Sequence, residues 1–166
     1  MKKSIGRIML TGEIPPRPAT QLSKNDHDAV SVECGTGTYT QYVEAGNHVF
    51  YVDEPMEHGG DDLGPNPFDL LLASLASCTS ITLRMYAKRK GLKLERVGVR
   101  TAYRKIHAEV CDECPGDEGY IDVIERDIEL IGNLTAEERD KLVTIADKCP
   151  VHQIMHMDTH VRTRLV

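Results

Sequence analysis

The chain has 166 residues, 40% of them hydrophobic and 28% charged, a composition typical of a globular domain rather than a disordered segment. Its formal net charge of −6, without a dense Lys/Arg cluster, argues against a nucleic-acid partner. The longest apolar stretch, around residues 70–76, is too short to cross a membrane, and no secretory leader is apparent. We therefore expect a cytoplasmic protein.

The first part of the chain is predicted to hold an irregular arm and then three strands. Three prolines interrupt regular structure in residues 1–27, which we assign as an N-terminal arm or extension, with residues 28–166 as the folded domain. Alternating apolar residues predict strands around residues 30–34, 39–43 and 48–52, separated by glycine-containing turns. These features predict an antiparallel meander.

A long helix is predicted next. Pro67 suits the first helical position and Gly91 suits the residue after the helix, so the helix should end near Lys90. Its first two-thirds are apolar or small on nearly every side, which is typical of a buried helix.

The remaining pattern predicts two strands, a second helix and a closing strand. The strands are expected near residues 94–106 and 120–131, and Thr135 with Glu138 forms a capping box that begins the helix. Pro150 should begin another helical turn, and residues 157–166 are expected to form a last strand. Strands in blocks with helices between the blocks indicate an α+β fold with antiparallel strands and a long buried central helix.

Two of the five cysteines stand in contexts that favour redox chemistry, because thiols in a reducing compartment are retained for chemistry or metal binding more often than for static disulfides. Cys78 lies in the long helix among hydroxyl residues, where it is either an inert core thiol or a reactive one. Cys149 precedes Pro150, so free backbone amides of a following helical turn would favour its thiolate. His152 is a candidate base for a nearby thiol.

The segments around these cysteines carry a family resemblance. Residues 64–79, GPNPFDLLLASLASCT, resemble the first cysteine motif of the OsmC/Ohr family, and residues 149–152, CPVH, resemble the second. The likeness covers roughly residues 29–166. It implies an intertwined homodimer with thiols at the subunit interface, Cys78 as the peroxidatic thiol and Cys149 as the resolving thiol. It further implies reduction of organic hydroperoxides, with a small dithiol or a lipoylated protein as reductant and no cofactor.

Two positions depart from the pattern of that family's peroxidases. Phe68 stands where those members have Glu, and no Arg lies between Arg17 and Arg84, where they supply one from the early strands. The alternative is a non-catalytic protein of the same fold that binds a small apolar ligand.

A second alternative is zinc binding by His107, Cys111 and Cys114, whose His-x3-Cys-x2-Cys spacing has the short Cys-x-x-Cys bite of a zinc knuckle. The same two cysteines are otherwise a redox-active pair or part of an ordinary surface loop.

Overall fold

The computed structural model describes residues 27–35, 37–111 and 119–165, which divide after Leu70 into two compact units. All but the last residue of the predicted arm at 1–27 lies outside the described residues, so the boundary between residues 27 and 28 stays a prediction.

The first unit contains the predicted meander. Strands β1 (Ala29–Glu33), β2 (Gln41–Ala45) and β3 (His48–Val52) form an antiparallel sheet in the order β1-β2-β3. Strand β2 lies two residues later than expected. Its pairing of Ala45 with His48 leaves a two-residue turn, in which Gly46 adopts a φ of 58° that side-chain-bearing residues rarely take.

A buried carboxylate holds the loop that follows β3. Asp53 accepts hydrogen bonds from the Thr40 hydroxyl at 3.0 Å and from the backbone amides of Glu54, Asp61 and Leu63. Burial alone would raise the pKa of Asp53, but these hydrogen bonds lower it below its ordinary value. The acidic, glycine-rich loop is therefore fixed by one anion at its start.

The second unit is built on a long hairpin and three helices. Strands β4 (Leu94–His107) and β5 (Tyr120–Gly132) pair antiparallel. Helices α1 (Pro67–Lys90), α2 (Ala136–Ala146) and α3 (Pro150–His156) accompany them, with the first turn of α1 belonging to the first unit. The core of the second unit consists of buried Leu83, Ala87, Leu94, Leu142, Ile145 and Ala146.

Helix α1 has the predicted ends. Asn66 and Asp69 cap its start through reciprocal hydrogen bonds between side chain and backbone, and Gly91 follows its end with a φ of 67°. By length and composition alone, α1 could cross a membrane. The core helix of a soluble protein has the same composition, and Leu83 and Ala87 of α1 belong to the core described above.

The prediction that α1 is buried on every side is wrong for the single chain. Only the row Leu75, Thr79, Leu83 and Ala87 is buried, with successive members one turn apart. In contrast, Ile81 and Met85 are 58% and 67% exposed. The apolar composition predicted that the whole helix is buried, whereas the described residues of the single chain cover only one side of it.

The predicted closing strand is also wrong. Residues 157–165 follow α3 without helix or strand assignment, and the side chains of Val161 and Leu165 are exposed. The alternation of apolar and polar residues that predicted this strand needs a neighbouring strand to pair with. Within the described part of the chain, no strand pairs with this segment.

Candidate functional site

Cys78 lies on α1 at the border between the buried and exposed sides. A rotation of about 100° per residue places it next to buried Thr79, while Ile81 and Met85 lie within about 60° of it on the exposed side. Cys78 is accordingly half-buried. The hydroxyl of Thr82, one turn later, hydrogen-bonds its sulfur.

Cys149 occupies the predicted position before a helical turn. It is the N-cap of α3, with Pro150 as the first helical residue, and its side chain is fully buried. The backbone amides of His152 and Val151 lie close enough to its sulfur to lower its pKa, without the regular side-chain hydrogen bond of an N-cap.

The fold brings the two sulfurs into direct contact, which their separation by 70 intervening residues in sequence did not show. Cys78 donates a hydrogen bond to Cys149. Burial and this donated hydrogen bond raise the pKa of Cys78. Burial would also raise the pKa of Cys149, but hydrogen bonds from Cys78, the His152 amide, Thr79 and the Val151 amide lower it. The pair thus favours one shared proton on Cys78 and the negative charge on Cys149.

Two residues beside this pair were missed by the sequence reasoning. Thr79 hydrogen-bonds the Cys149 sulfur, and Arg126 on β5 donates to the Thr79 hydroxyl oxygen at 3.3 Å. Arg126 takes an inward position between half-buried Ile124 and Ile128. An arginine within an apolar strand face is a signal that the sequence contained.

His152 contributes its backbone amide to the site. Its ring stands 4.4 Å from that of His156, and burial together with the positive charges of Arg126 and His156 lowers its pKa. Its imidazole is therefore neutral at neutral pH.

The predicted zinc ligands are only partly described. His107 ends β4, where its ring packs edge-on against Tyr120 and its Nδ1 lies 3.4 Å from a carboxylate oxygen of Glu109. Cys111 is disulfide-bonded, and Cys114 lies outside the described residues. Among the residues that the structure describes, no group of three His, Cys, Asp or Glu side chains is arranged to hold a metal. Zinc binding stays a prediction.

A cavity of about 830 Å³ adjoins the thiol pair. Thr82, which hydrogen-bonds Cys78, and Pro150, which follows Cys149, both line it. The other lining residues are Met85, Tyr86 and Ile145 with the basic residues Lys88, Arg89 and Lys148. The cavity therefore combines an apolar wall with a cationic rim, and it has the volume of a small-ligand site.

Fold and site together define a mixed α+β protein with antiparallel strands, a long helix and a hydrogen-bonded pair of thiols. The family model described as OsmC-like protein matches residues 59–164, well over half of the chain. The chain belongs to the OsmC-like protein family, as the cysteine motifs predicted. No curated protein has a matching sequence.

Solved structures show the same fold at low sequence identity. An organic hydroperoxide resistance protein OsmC from Legionella pneumophila is 20% identical with a TM-score of 0.59, over 81% of this chain and 91% of that one. An OsmC-like protein from Mycoplasma pneumoniae is 16% identical with a TM-score of 0.61, over 81% and 89%. The organic hydroperoxide resistance protein OhrB of Bacillus subtilis is 17% identical with a TM-score of 0.54, over 80% and 92%.

Proposed function

We propose that this protein reduces organic hydroperoxides with Cys78 and Cys149 as its redox-active thiols. The observation that carries the proposal is the hydrogen bond between the two sulfurs, which places a thiol of lowered pKa in contact with a second thiol. Similar structures are named as organic hydroperoxide resistance proteins, which supports the substrate class. Within the described ranges Cys78 and Cys149 are free thiols, as this chemistry requires.

Accessibility and charge favour different sulfurs as the nucleophile. Cys149 has the lowered pKa but is fully buried, whereas Cys78 is half-buried and its neighbour Thr82 lines the cavity. Transfer of the shared proton from Cys78 to Cys149 removes this conflict, because it makes Cys78, the more accessible sulfur, the thiolate. We therefore assign Cys78 as the peroxidatic thiol and Cys149 as its proton acceptor and resolving thiol.

The reaction then balances in three steps. The Cys78 thiolate attacks a peroxide oxygen, and the O–O bond breaks to give a sulfenic acid on Cys78 and an alkoxide, which takes a proton from water. The Cys149 thiol condenses with the sulfenic acid, so that an S–S bond forms and water leaves. A dithiol, either a small molecule or a lipoylated protein, is oxidised as it reduces the disulfide and restores both thiols.

Matched cysteine variants test this proposal. With dihydrolipoamide as reductant, we expect Cys78→Ser and Cys149→Ser to lose turnover of cumene hydroperoxide. Cys34→Ser, which removes a free cysteine of the first unit, should keep the parental rate. Undiminished turnover by Cys78→Ser would rule the mechanism out.

We also propose a homodimer formed through the exposed side of α1. Its exposed apolar residues Leu71, Ile81 and Met85 lie on the same side of the helix as Cys78. Contiguous exposed apolar surface of this kind is typical of an interface. A dimer formed there would have its thiols at the subunit boundary.

The cavity favours a second candidate function, binding of an anionic apolar ligand such as a fatty acyl carboxylate. Its apolar wall suits an acyl chain, and the rim residues Lys88, Arg89 and Lys148 suit a carboxylate. Native mass spectrometry of freshly purified protein should then show a bound small molecule, and Met85→Trp, which adds bulk to the cavity lining, should remove it. Val143→Trp, on the exposed side of α2, is the control. Protein that is always empty contradicts this candidate.

Zinc binding by His107, Cys111 and Cys114 is a third proposal. A disulfide-bonded sulfur is not a thiolate ligand, so zinc binding would require Cys111 to be reduced first. Elemental analysis of protein purified under reducing conditions without chelator tests it, and absence of zinc removes it.

A further inference from the structure

Arg126 joins three elements around the thiol pair. Its side chain is 14% exposed, and its guanidinium donates to the Thr79 hydroxyl oxygen on α1 at 3.3 Å and to the Ala146 carbonyl at the end of α2 at 3.2 Å. A third hydrogen bond, 2.6 Å long, reaches the carboxylate of Asp147, two residues before Cys149. One side chain on β5 thus holds the helix that carries Cys78 and the segment that leads to Cys149.

The direction of the Arg126–Thr79 hydrogen bond determines what Thr79 can do. A guanidinium has donors only, so the Thr79 oxygen accepts, and its single hydroxyl proton remains available. Threonine within a helix ordinarily donates that proton to the carbonyl one turn earlier. Here Thr79 instead hydrogen-bonds the sulfur of Cys149.

We propose that Arg126 is a positioning residue for the thiol pair, which by donating to Thr79 directs the Thr79 hydroxyl onto the Cys149 sulfur and so stabilises the thiolate there. This inference rests on the proposed function, since it names the residues that set which sulfur of that pair holds the charge before the proton transfers to Cys149. Removing Arg126 would free Thr79 to turn back toward its own helix.

The charges around the pair indicate that Arg126 acts through Thr79 rather than by its charge alone. The charged and titratable groups near the pair are Arg126 from β5, Asp147 and Lys148 after α2, His152 with His156 from α3, and Lys88 with Arg89 of α1 on the adjoining cavity. Asp147 offsets part of the guanidinium charge at 2.6 Å. The Thr79 hydroxyl, by contrast, hydrogen-bonds the Cys149 sulfur itself.

The test is a titration of the cysteines without any hydroperoxide. Reduced protein labelled with 13Cβ-cysteine is titrated by NMR, and signals are assigned from Cys→Ser variants. We expect Arg126→Gln to raise the titration midpoint of Cys149 by about one pH unit, the loss of roughly one hydrogen bond to a charged group. Thr79→Val should give the same rise, and Thr79→Ser, which keeps the hydroxyl, should restore the parental midpoint.

Two comparisons separate an effect carried by Thr79 from a direct effect of the guanidinium charge. In the Thr79→Val background, Arg126→Gln should cause no further rise in the Cys149 midpoint. A further rise of similar size would mean that Arg126 acts directly on the sulfur and would overturn the proposal. Arg104→Gln removes an exposed arginine of the same two-stranded sheet, paired with Glu125, and should leave the midpoint unchanged. An unchanged midpoint in Arg126→Gln also overturns the proposal.

If Arg126→Gln does not fold, Arg126→Lys provides the same test. A lysine keeps the cation but cannot hold all three acceptors in the arginine's fixed geometry, so the midpoint should still rise. No rise in Arg126→Lys, together with a parental midpoint in Thr79→Val, overturns the proposal. Because no hydroperoxide is used, failure of the protein to turn over hydroperoxide contradicts the proposed function separately from this result.

Discussion

At the residue scale, the site depends on a sulfur whose negative charge is stabilised by hydrogen bonds. Cys149 is surrounded by donors: the Cys78 thiol, the Thr79 hydroxyl and the amides of Val151 and His152. A buried anion is stable when several donors replace its lost water, and here four do so. The stabilised charge lies in contact with Cys78, the more accessible thiol beside the cavity.

The pH dependence of oxidation should follow from this arrangement. The lowered pKa of Cys149 means that the pair carries one negative charge at a lower pH than free thiols do. The rate of reaction with hydroperoxide should thus fall as pH drops through that pKa, with a midpoint below the ordinary thiol value of about 8.5. Stopped-flow measurement of single-turnover oxidation against pH checks this.

A histidine variant provides the control for that profile. The structure gives His152 a backbone hydrogen bond to Cys149, so His152→Gln keeps the interaction and should keep the midpoint. If the oxidation rate of His152→Gln no longer depended on pH in this range, the imidazole would instead be the base that deprotonates the thiol.

The second prediction at the residue scale concerns the contribution of Asp53, in the first unit, to the free energy of unfolding. Its lowered pKa stabilises the fold fully above the unfolded value of about 3.9, and that stabilisation is lost as pH falls through the folded pKa. Asp53→Asn should lower the free energy of unfolding at pH 7 by about 2–3 kcal/mol, and by less near pH 3. Urea unfolding at both pH values measures this. Glu57→Gln, an exposed change in the same loop, should cost little, and an equal cost would contradict the role given to Asp53.

Sequence alone singled out Cys78 and Cys149, whose sulfurs the fold brings together, because each lies in a recognisable local segment. It singled out neither Thr79, which it gave only as a hydroxyl residue near Cys78, nor Arg126. Their contact joins residues 47 apart in sequence, and only the packing of β5 against α1 brings them together. The vacant early-strand arginine position and an arginine on the apolar face of β5 were both visible from the sequence, whereas the contact of that guanidinium with Thr79 was not.

At the element scale, local chemistry predicted most boundaries well. Pro67 and Gly91 delimit α1, and the β4 and β5 strands end within one residue of their predicted ends. The errors, burial all around α1 and a strand over residues 157–166, both concern a face or an edge that nothing in the described part of the chain covers or pairs with. Local composition defines an apolar face or an alternating segment, but it does not say what covers or pairs with it.

Helix α2 offers an element-scale prediction. The Thr135 side chain accepts from the Glu138 amide at 3.2 Å, and the Glu138 carboxylate accepts from the Thr135 amide at 2.9 Å. Thr135→Ala removes one half of this capping box and should cost about 1 kcal/mol in the free energy of unfolding. Thermal and urea denaturation measure the loss.

Thr144→Ala is the matched control within the same helix. Its exposed hydroxyl bonds only the Asp140 carbonyl one turn earlier, and alanine is the better helix former, so stability should stay the same or rise slightly. A larger loss for Thr144→Ala than for Thr135→Ala would contradict the capping role of Thr135.

At the scale of the whole molecule, the proposed homodimer explains why α1 is apolar on the side that one protomer leaves exposed. Ile81→Glu places a charge on that side and should shift the protein from dimer to monomer at micromolar concentration. Analytical ultracentrifugation measures the change. Val143→Glu, an equally apolar-to-acidic change on the exposed side of α2, should remain dimeric, and a monomeric parent protein would contradict the proposed interface.

The most direct test of the redox pair is one turnover with one oxidant. Fully reduced protein is mixed with a single equivalent of cumene hydroperoxide, quenched by alkylation and analysed by mass spectrometry of its cysteine peptides. We expect a disulfide between Cys78 and Cys149 formed in step with hydroperoxide loss, with Cys34 still alkylated as a free thiol. Unreacted Cys78 and Cys149, or oxidation confined to other cysteines, would contradict the central claim that these two thiols form the reactive pair.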